Sequence, residues 1–93
     1  MNKSELVGIV AEQAKLSRAQ AERLVNAFFE AVTDALKRGE DVALIGFGSF
    51  AVRDRAARSG RNPRTGEVIE VPAGRAPAFR PGKALRDAIS NNT

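Results

Sequence analysis

Between Arg53 and Ala76 the chain is long enough for two strands and has almost nothing to bury. Arg53-Asp54-Arg55-Ala56-Ala57-Arg58-Ser59-Gly60-Arg61 sets arginines among small residues. Asn62-Pro63-Arg64-Thr65-Gly66 then reads as a turn, because Pro63 presets φ at one corner and Gly66 tolerates a positive φ. Val68, Ile69 and Val71 resume β-type residues. Pro72 and Pro77 mark the return as an edge or bulged strand, since neither can donate to a ladder. The pattern predicts a two-stranded ribbon over residues 53–76. Arg53 and Arg55 share a face of it. Arg58 joins them only if a bulge near Ala56-Ala57 shifts the alternation. A free two-stranded hairpin is marginal in water, so this ribbon is expected to be ordered by something other than its own core.

Without the ribbon, fewer than 70 residues remain to build a core, and cores that small seldom stabilise themselves. Asn2 and Glu5 read as a capping box for a first helix carrying Leu6, Ile9, Val10 and Ala14 at helical spacing. Ser17-x-x-Gln20 opens a second helix over 17–38, with Ala21, Leu24, Val25, Phe28, Val32 and Leu36 on one stripe. Gly39 ends it, after Lys37 and Arg38 in the last turn. Phe29 widens the stripe beyond one face, so this helix needs cover on two sides. Val42, Leu44 and Ile45 read as a short buried strand, Gly46-Phe47-Gly48 as a turn, and Ser49-Phe50-Ala51-Val52 as the return strand. Ala78-Phe79 rejoins the core. Pro81-Gly82 breaks the chain before a last helix over 83–90, with Leu85 and Ile89 inward. The predicted class is α+β. The two-sided helix and the five phenylalanines (Phe28, Phe29, Phe47, Phe50, Phe79) argue for a dimer sharing one core.

Charge then narrows the function. Residues 1–52 hold six Lys/Arg and seven Asp/Glu, whereas residues 53–86 hold nine cations against three acids. Eight of those nine are arginine, whose fork suits phosphate oxygens better than lysine does. A polyanion is the natural partner. The chain has no cysteine and no histidine. Disulfides, thiolate chemistry, Cys/His zinc sites and the commonest general base are therefore absent, and an enzyme is not expected. No cofactor or metal is expected either; Glu30 and Asp34 lie one turn apart and read as a solvated helix face. No apolar run approaches the roughly 18 residues of a membrane span. Met1-Asn2-Lys3-Ser4-Glu5 carries an acid where a secretory leader needs a basic-then-apolar block, so a cytoplasmic setting is expected.

A thin cationic ribbon fits a DNA groove. At its tip Pro63 is rigid and apolar between Arg61 and Arg64, as a wedge between base steps would be, although a plain turn proline would look the same. Arg80, Lys83 and Arg86 cluster around the start of the last helix, where a helix N-terminus favours phosphate. Lys3 opens the first helix, where a cation opposes the macrodipole. The chain has no Tyr or Trp, and its phenylalanines sit in core-like positions, so no stacking platform for single strands is evident.

The segments Asn2-Lys3-Ser4-Glu5-Leu6, Gly46-Phe47-Gly48-Ser49-Phe50, Gly60-Arg61-Asn62-Pro63-Arg64-Thr65-Gly66 and Phe79-Arg80-Pro81-Gly82-Lys83-Ala84-Leu85 resemble the bacterial HU/integration host factor family of histone-like proteins. The resemblance covers essentially the whole chain, and Asp41–Gly48 is more similar to HU, its beta-type chain above all, than to integration host factor. It implies one histone-like domain over 1–93: a helical dimerisation part (1–40), a sheet with a DNA-binding arm (41–81) and a C-terminal helix (82–93). It implies an intertwined dimer with a three-stranded antiparallel sheet and two arms in the DNA minor groove. Pro63 matches the intercalating tip residue. Arg53, Arg55, Arg58 and Arg61 match cations of the arm and saddle, with Asn62, Arg64 and Arg75 beside them. Lys3, Arg80, Lys83 and Arg86 match phosphate contacts on the flanks, and Phe47, Phe50 and Phe79 match the shared aromatic core. The expected role is a nucleoid protein that bends and compacts double-stranded DNA with little sequence preference and favours distorted or nicked sites. The expected assembly is a homodimer, with pairing to a paralogue as the alternative. Other readings are a sequence-preferring integration host factor subunit, an RNA-binding basic protein, or a purely structural dimer.

Overall fold

The computed structural model describes residues 1–90, so the end of the expected 82–93 helix lies outside the described residues. In chain order the elements are α1 (Lys3–Ala14), α2 (Arg18–Lys37), β1 (Val42–Leu44), β2 (Gly48–Arg55), β3 (Arg58–Arg61), β4 (Val68–Val71), β5 (Gly74–Pro81) and α3 (Lys83–Ser90). The class is α+β, as the patterning predicts. Two compact units divide the chain after Ala35.

The first unit is a helical hairpin whose ends are fixed by side chains. Asn2 holds an extended backbone, and its Oδ1 accepts from the Glu5 N–H at 2.9 Å. At α2 the capping box is reciprocal: the Ser17 N–H donates to Gln20 Oε1 at 3.0 Å, and the Gln20 N–H to Ser17 Oγ at 3.1 Å. Both pairs satisfy helix donors that otherwise lack partners. α1 stops by a device the sequence does not announce. Lys15, not a glycine, takes the left-handed conformation (φ 56°, ψ 48°), and its N–H bonds the Ala11 and Glu12 carbonyls. Arg18 then ties the two helices, Nη2 donating to the Ser4 carbonyl at 3.2 Å and to Ser4 Oγ at 2.9 Å.

Val7, Ala21 and Val25 form the buried centre of this unit, with Leu6, Val10, Ala11 and Leu16 packed against them. Other large apolar residues of α2 are not covered. Leu24 is 51% exposed, Phe28 46% and Phe29 42%, and the two rings meet edge-on at 6.0 Å. One chain thus supplies an apolar surface larger than it can bury.

The second unit begins with the last residues of α2. Gly39 (φ 78°) follows the helix, and its N–H donates to the Leu36 carbonyl at 3.0 Å. The sheet is antiparallel in the order β1-β2-β5. Phe50 faces Phe79 across β2 and β5, and Phe79 contacts Phe50 at 4.9 Å and Phe47 at 5.6 Å between ring centroids. Pro77 lies in β5, an edge strand, where a missing donor is tolerated. Strand assignment here differs from the sequence pattern. Ile45 is not in a buried strand but in the β1–β2 turn, fully exposed. The turn closes through the Phe47 N–H to the Leu44 carbonyl at 2.9 Å, with Gly46 at φ 89° in the position that requires it. Gly48 opens β2 and is buried against Phe79.

The ribbon exists, but without the expected bulge. β2 and β5 pair out to Arg55↔Gly74, and β3 and β4 resume at Arg58↔Val71. Two residues on each strand, Ala56-Ala57 and Pro72-Ala73, separate the ladders. Equal numbers skipped on both sides keep one register, so no extra residue is inserted; Pro72 interrupts because it has no N–H to offer. Gly82 immediately precedes α3; its N–H donates to the Phe47 carbonyl at 2.8 Å and its carbonyl accepts from the Arg86 N–H at 3.1 Å. Leu85 is half-buried as expected, but Ile89 is 71% exposed in the single chain, not inward.

Candidate nucleic-acid interface

The arm is built by local hydrogen bonds, not by a core. At its tip the Asn62 N–H donates to the Glu67 carbonyl at 2.8 Å, and the Asn62 carbonyl accepts from the Gly66 N–H at 2.7 Å. Asn62 Oδ1 accepts from the Arg64 N–H at 2.9 Å, and Thr65 Oγ1 from the Glu67 N–H at 3.2 Å. Gly66 sits at φ 75°. Asn62 is therefore a turn-former, and Pro63 and Arg64 are presented at the apex, both exposed.

Below the tip, cross-strand pairing fixes each arginine. Arg61 faces Val68, Arg58 faces Val71, Arg55 faces Gly74 and Arg53 faces Ala76. Gly74 leaves room for the Arg55 guanidinium, which would lie 3.1 Å from a Cβ there. Arg53, Arg55, Arg58, Arg61 and Arg64 are all exposed, and none makes an ion pair among the described residues. Five unneutralised guanidinium groups on one thin element are a standing attraction for a polyanion.

The other cations divide. Arg80 (β5) faces Ser49, and Lys83 and Arg86 follow in the first turns of α3, so these three lie around one helix start. Lys83 already has a partner one turn on, the carboxylate of Asp87. Arg75 Nη2 donates to the Lys37 carbonyl at 3.1 Å, so its guanidinium serves the end of α2 in this structure. Nothing in its sequence neighbourhood signals that contact; the partners are 38 residues apart. Lys3 is the exposed first residue of α1, in the other unit. Phe28 and Phe29 likewise belong to the first unit, and Phe47, Phe50 and Phe79 to the second. Away from the cationic segment, Arg38 pairs with Glu40, and that hydrogen bond and charge lower the Glu40 pKa. Among the described residues there is no group of three or more His, Cys, Asp or Glu able to hold a metal ion, and no helix is long and apolar enough to cross a membrane.

Fold and site together define a class: a small α+β protein whose cations are concentrated on a coreless β-ribbon. Residues 1–90 match the family profile described as bacterial DNA-binding protein. The chain is 59% identical over 90 residues to DNA-binding protein HU-1 of Halalkalibacterium halodurans, covering 97% of this chain and all of that one. It is 57% identical over 89 residues to DNA-binding protein HU of Geobacillus stearothermophilus, covering 96% and 99%. Among solved structures, an Anabaena HU–DNA cocrystal superposes with a TM-score of 0.90 at 48% identity, covering 97% of this chain and 98% of that one. HU of Thermotoga maritima gives 0.67 at 30%, covering 96% and 98%. The chain belongs to the bacterial HU family of DNA-binding proteins.

Proposed function

We propose that this protein is a homodimeric, nucleoid-associated architectural protein that grips duplex DNA in the minor groove and bends it with little sequence preference. The observation that carries the reading is the set of five exposed arginines on the arm with no intramolecular ion pair. They are available for phosphate, and phosphate contacts carry no sequence information of their own. The Anabaena relative, crystallised with DNA, supports duplex as the ligand. The exposed Leu24, Phe28 and Phe29 support a second copy as the cover for α2.

In this reading Arg53, Arg55, Arg58, Arg61 and Arg64 neutralise phosphates along the arm, while Lys3, Arg80, Lys83 and Arg86 do so on the body. Asn62 holds the tip so that Pro63 can enter a base step. Unstacking that step costs a few kcal/mol, offset by the extra contacts of a bent duplex. Nicked or gapped DNA has lost part of that stacking and binds more tightly. No cofactor takes part, and the site of action is the cytoplasmic nucleoid. Arg75 acts on the fold and not on DNA.

The test is a titration of linear duplex, nicked duplex and structured RNA at several salt concentrations. With roughly 6–10 phosphates neutralised per dimer, log K falls with log salt at a slope of about −5 to −9, and nicked duplex binds best. A flat salt response, a single preferred sequence with a thousandfold advantage, or RNA binding above both duplexes would overturn the reading.

A further inference from the structure

The register of the arm gives its two faces different chemistry. Ser59 faces Glu70 and Arg61 faces Val68, so these four share one face; Arg58, Gly60, Ile69 and Val71 share the other. Arg61 and Glu70 are thus diagonal neighbours across β3 and β4, a separation that long side chains span. Within β3 and β4 the face of Arg58 carries no carboxylate. No ion pair joins Arg61 to Glu70 in the structure, and both are exposed.

We propose that Glu70 is a positioning residue that competes with DNA phosphate for Arg61, so that of the two arginines on opposite faces of β3 only Arg61 has a carboxylate competing for it. This rests on the reading of the arm as a phosphate-binding element. A carboxylate at diagonal distance attracts the guanidinium through solvent and so opposes its transfer to phosphate, an effect that weakens as salt screens it. Arg58 feels Glu70 only through the thickness of the ribbon. Glu70 therefore sets the arm's affinity through Arg61 specifically and leaves Arg58 untouched.

The experiment is a double-mutant cycle read by fluorescence anisotropy on a labelled duplex of about 30 base pairs, using the full chain. The variants are Glu70→Gln, Arg61→Ala, Arg58→Ala and the two pairs containing Glu70→Gln, each checked for native circular dichroism. Glu70→Gln should tighten binding about two- to fivefold at about 0.05 M salt and less at about 0.3 M. That gain should disappear in the Arg61→Ala background and persist in Arg58→Ala. An equal gain in both backgrounds means a general field effect and overturns the pairing, as does no gain at all. If neither arginine variant weakens binding, the phosphate-binding reading of the arm falls and the proposal falls with it. If both weaken binding while Glu70→Gln changes nothing, only the proposal falls.

Discussion

The guanidinium of Arg75, on β5, donates to the main-chain carbonyl of Lys37 at the end of α2, 3.1 Å away. The last carbonyls of a helix have no intrahelical donor, and a cation there also meets the negative end of the macrodipole. A Cβ at Gly39 would lie 3.8 Å from Arg75 Nη1, an ordinary contact, so that position needs glycine for its φ of 78° and not for space. Arg75→Ala should therefore lower stability to urea by about 0.5–1.5 kcal/mol and leave the salt dependence of DNA binding unchanged. A loss of about two units of slope per dimer with no loss of stability would place Arg75 on DNA instead.

Gly48 is required for space, not for backbone freedom. A Cβ there would come within 2.7 Å of both the Arg80 carbonyl oxygen and the Phe79 ring. Neither can retreat easily, since one belongs to the β2–β5 ladder and the other to the ring cluster. Gly48→Ala should cost about 1–3 kcal/mol or more, as overpacking does. Gly46→Ala meets nothing within 4 Å and is strained only by φ 89°, so its cost should be about 1–2 kcal/mol. Chemical denaturation of both variants checks the order; a costlier Gly46→Ala would contradict it.

If a second copy covers the exposed stripe of α2, as proposed, folding and assembly are one process. Thermal unfolding should depend on protein concentration, with a hundredfold increase adding about 2.7 kcal/mol per dimer to apparent stability. Phe29→Asp should abolish the dimer in sedimentation and leave the chain largely unfolded. A concentration-independent melt with a monomer mass would remove the basis for a shared core.

The Asp87 carboxylate neutralises Lys83 and competes with any phosphate for it. Asp87→Asn frees it and should tighten duplex binding about two- to fivefold at low salt, with a steeper salt slope because salt no longer offsets part of the loss by loosening a competing intramolecular pair. Lys83→Ala should erase that gain in anisotropy titrations. A gain that survives Lys83→Ala would mean that Asp87 acts through the general field.

Much of this was legible because the relevant signals are local. The two helix starts follow from Asn2 and the Ser17–Gln20 pair, and the tip from Pro63 and Gly66, since capping and turn formation act over three or four residues. What sequence alone missed depends on distant partners or on counting residues across strands. Lys15 takes a glycine's conformation where no glycine marks the helix end. Ile45 has a strand former's side chain, yet hydrogen bonding from Phe47 to Leu44 places it in a turn. Arg58 shares the face of Arg53 and Arg55 only with a bulge at Ala56-Ala57; the common register across Pro72 leaves it on the opposite face. The Arg75 bond to the end of α2 is invisible in the local pattern because its partner carbonyl lies 38 residues away. The exposure of Ile89 shows the same limit from the other side: helical spacing says which residues share a stripe, not what covers it.

The central claim is that the arms bend duplex DNA by inserting Pro63 and not by charge alone. Energy transfer between fluorophores on the two ends of a short duplex, at saturating protein, measures this most directly. Wild type should bring the ends together on unrelated sequences alike. Pro63→Ala keeps every cation and, once shown to retain its fold, should lose most of that bending while its salt slope stays nearly the same. Equal energy transfer with both proteins would contradict the account and leave Pro63 as a turn residue only.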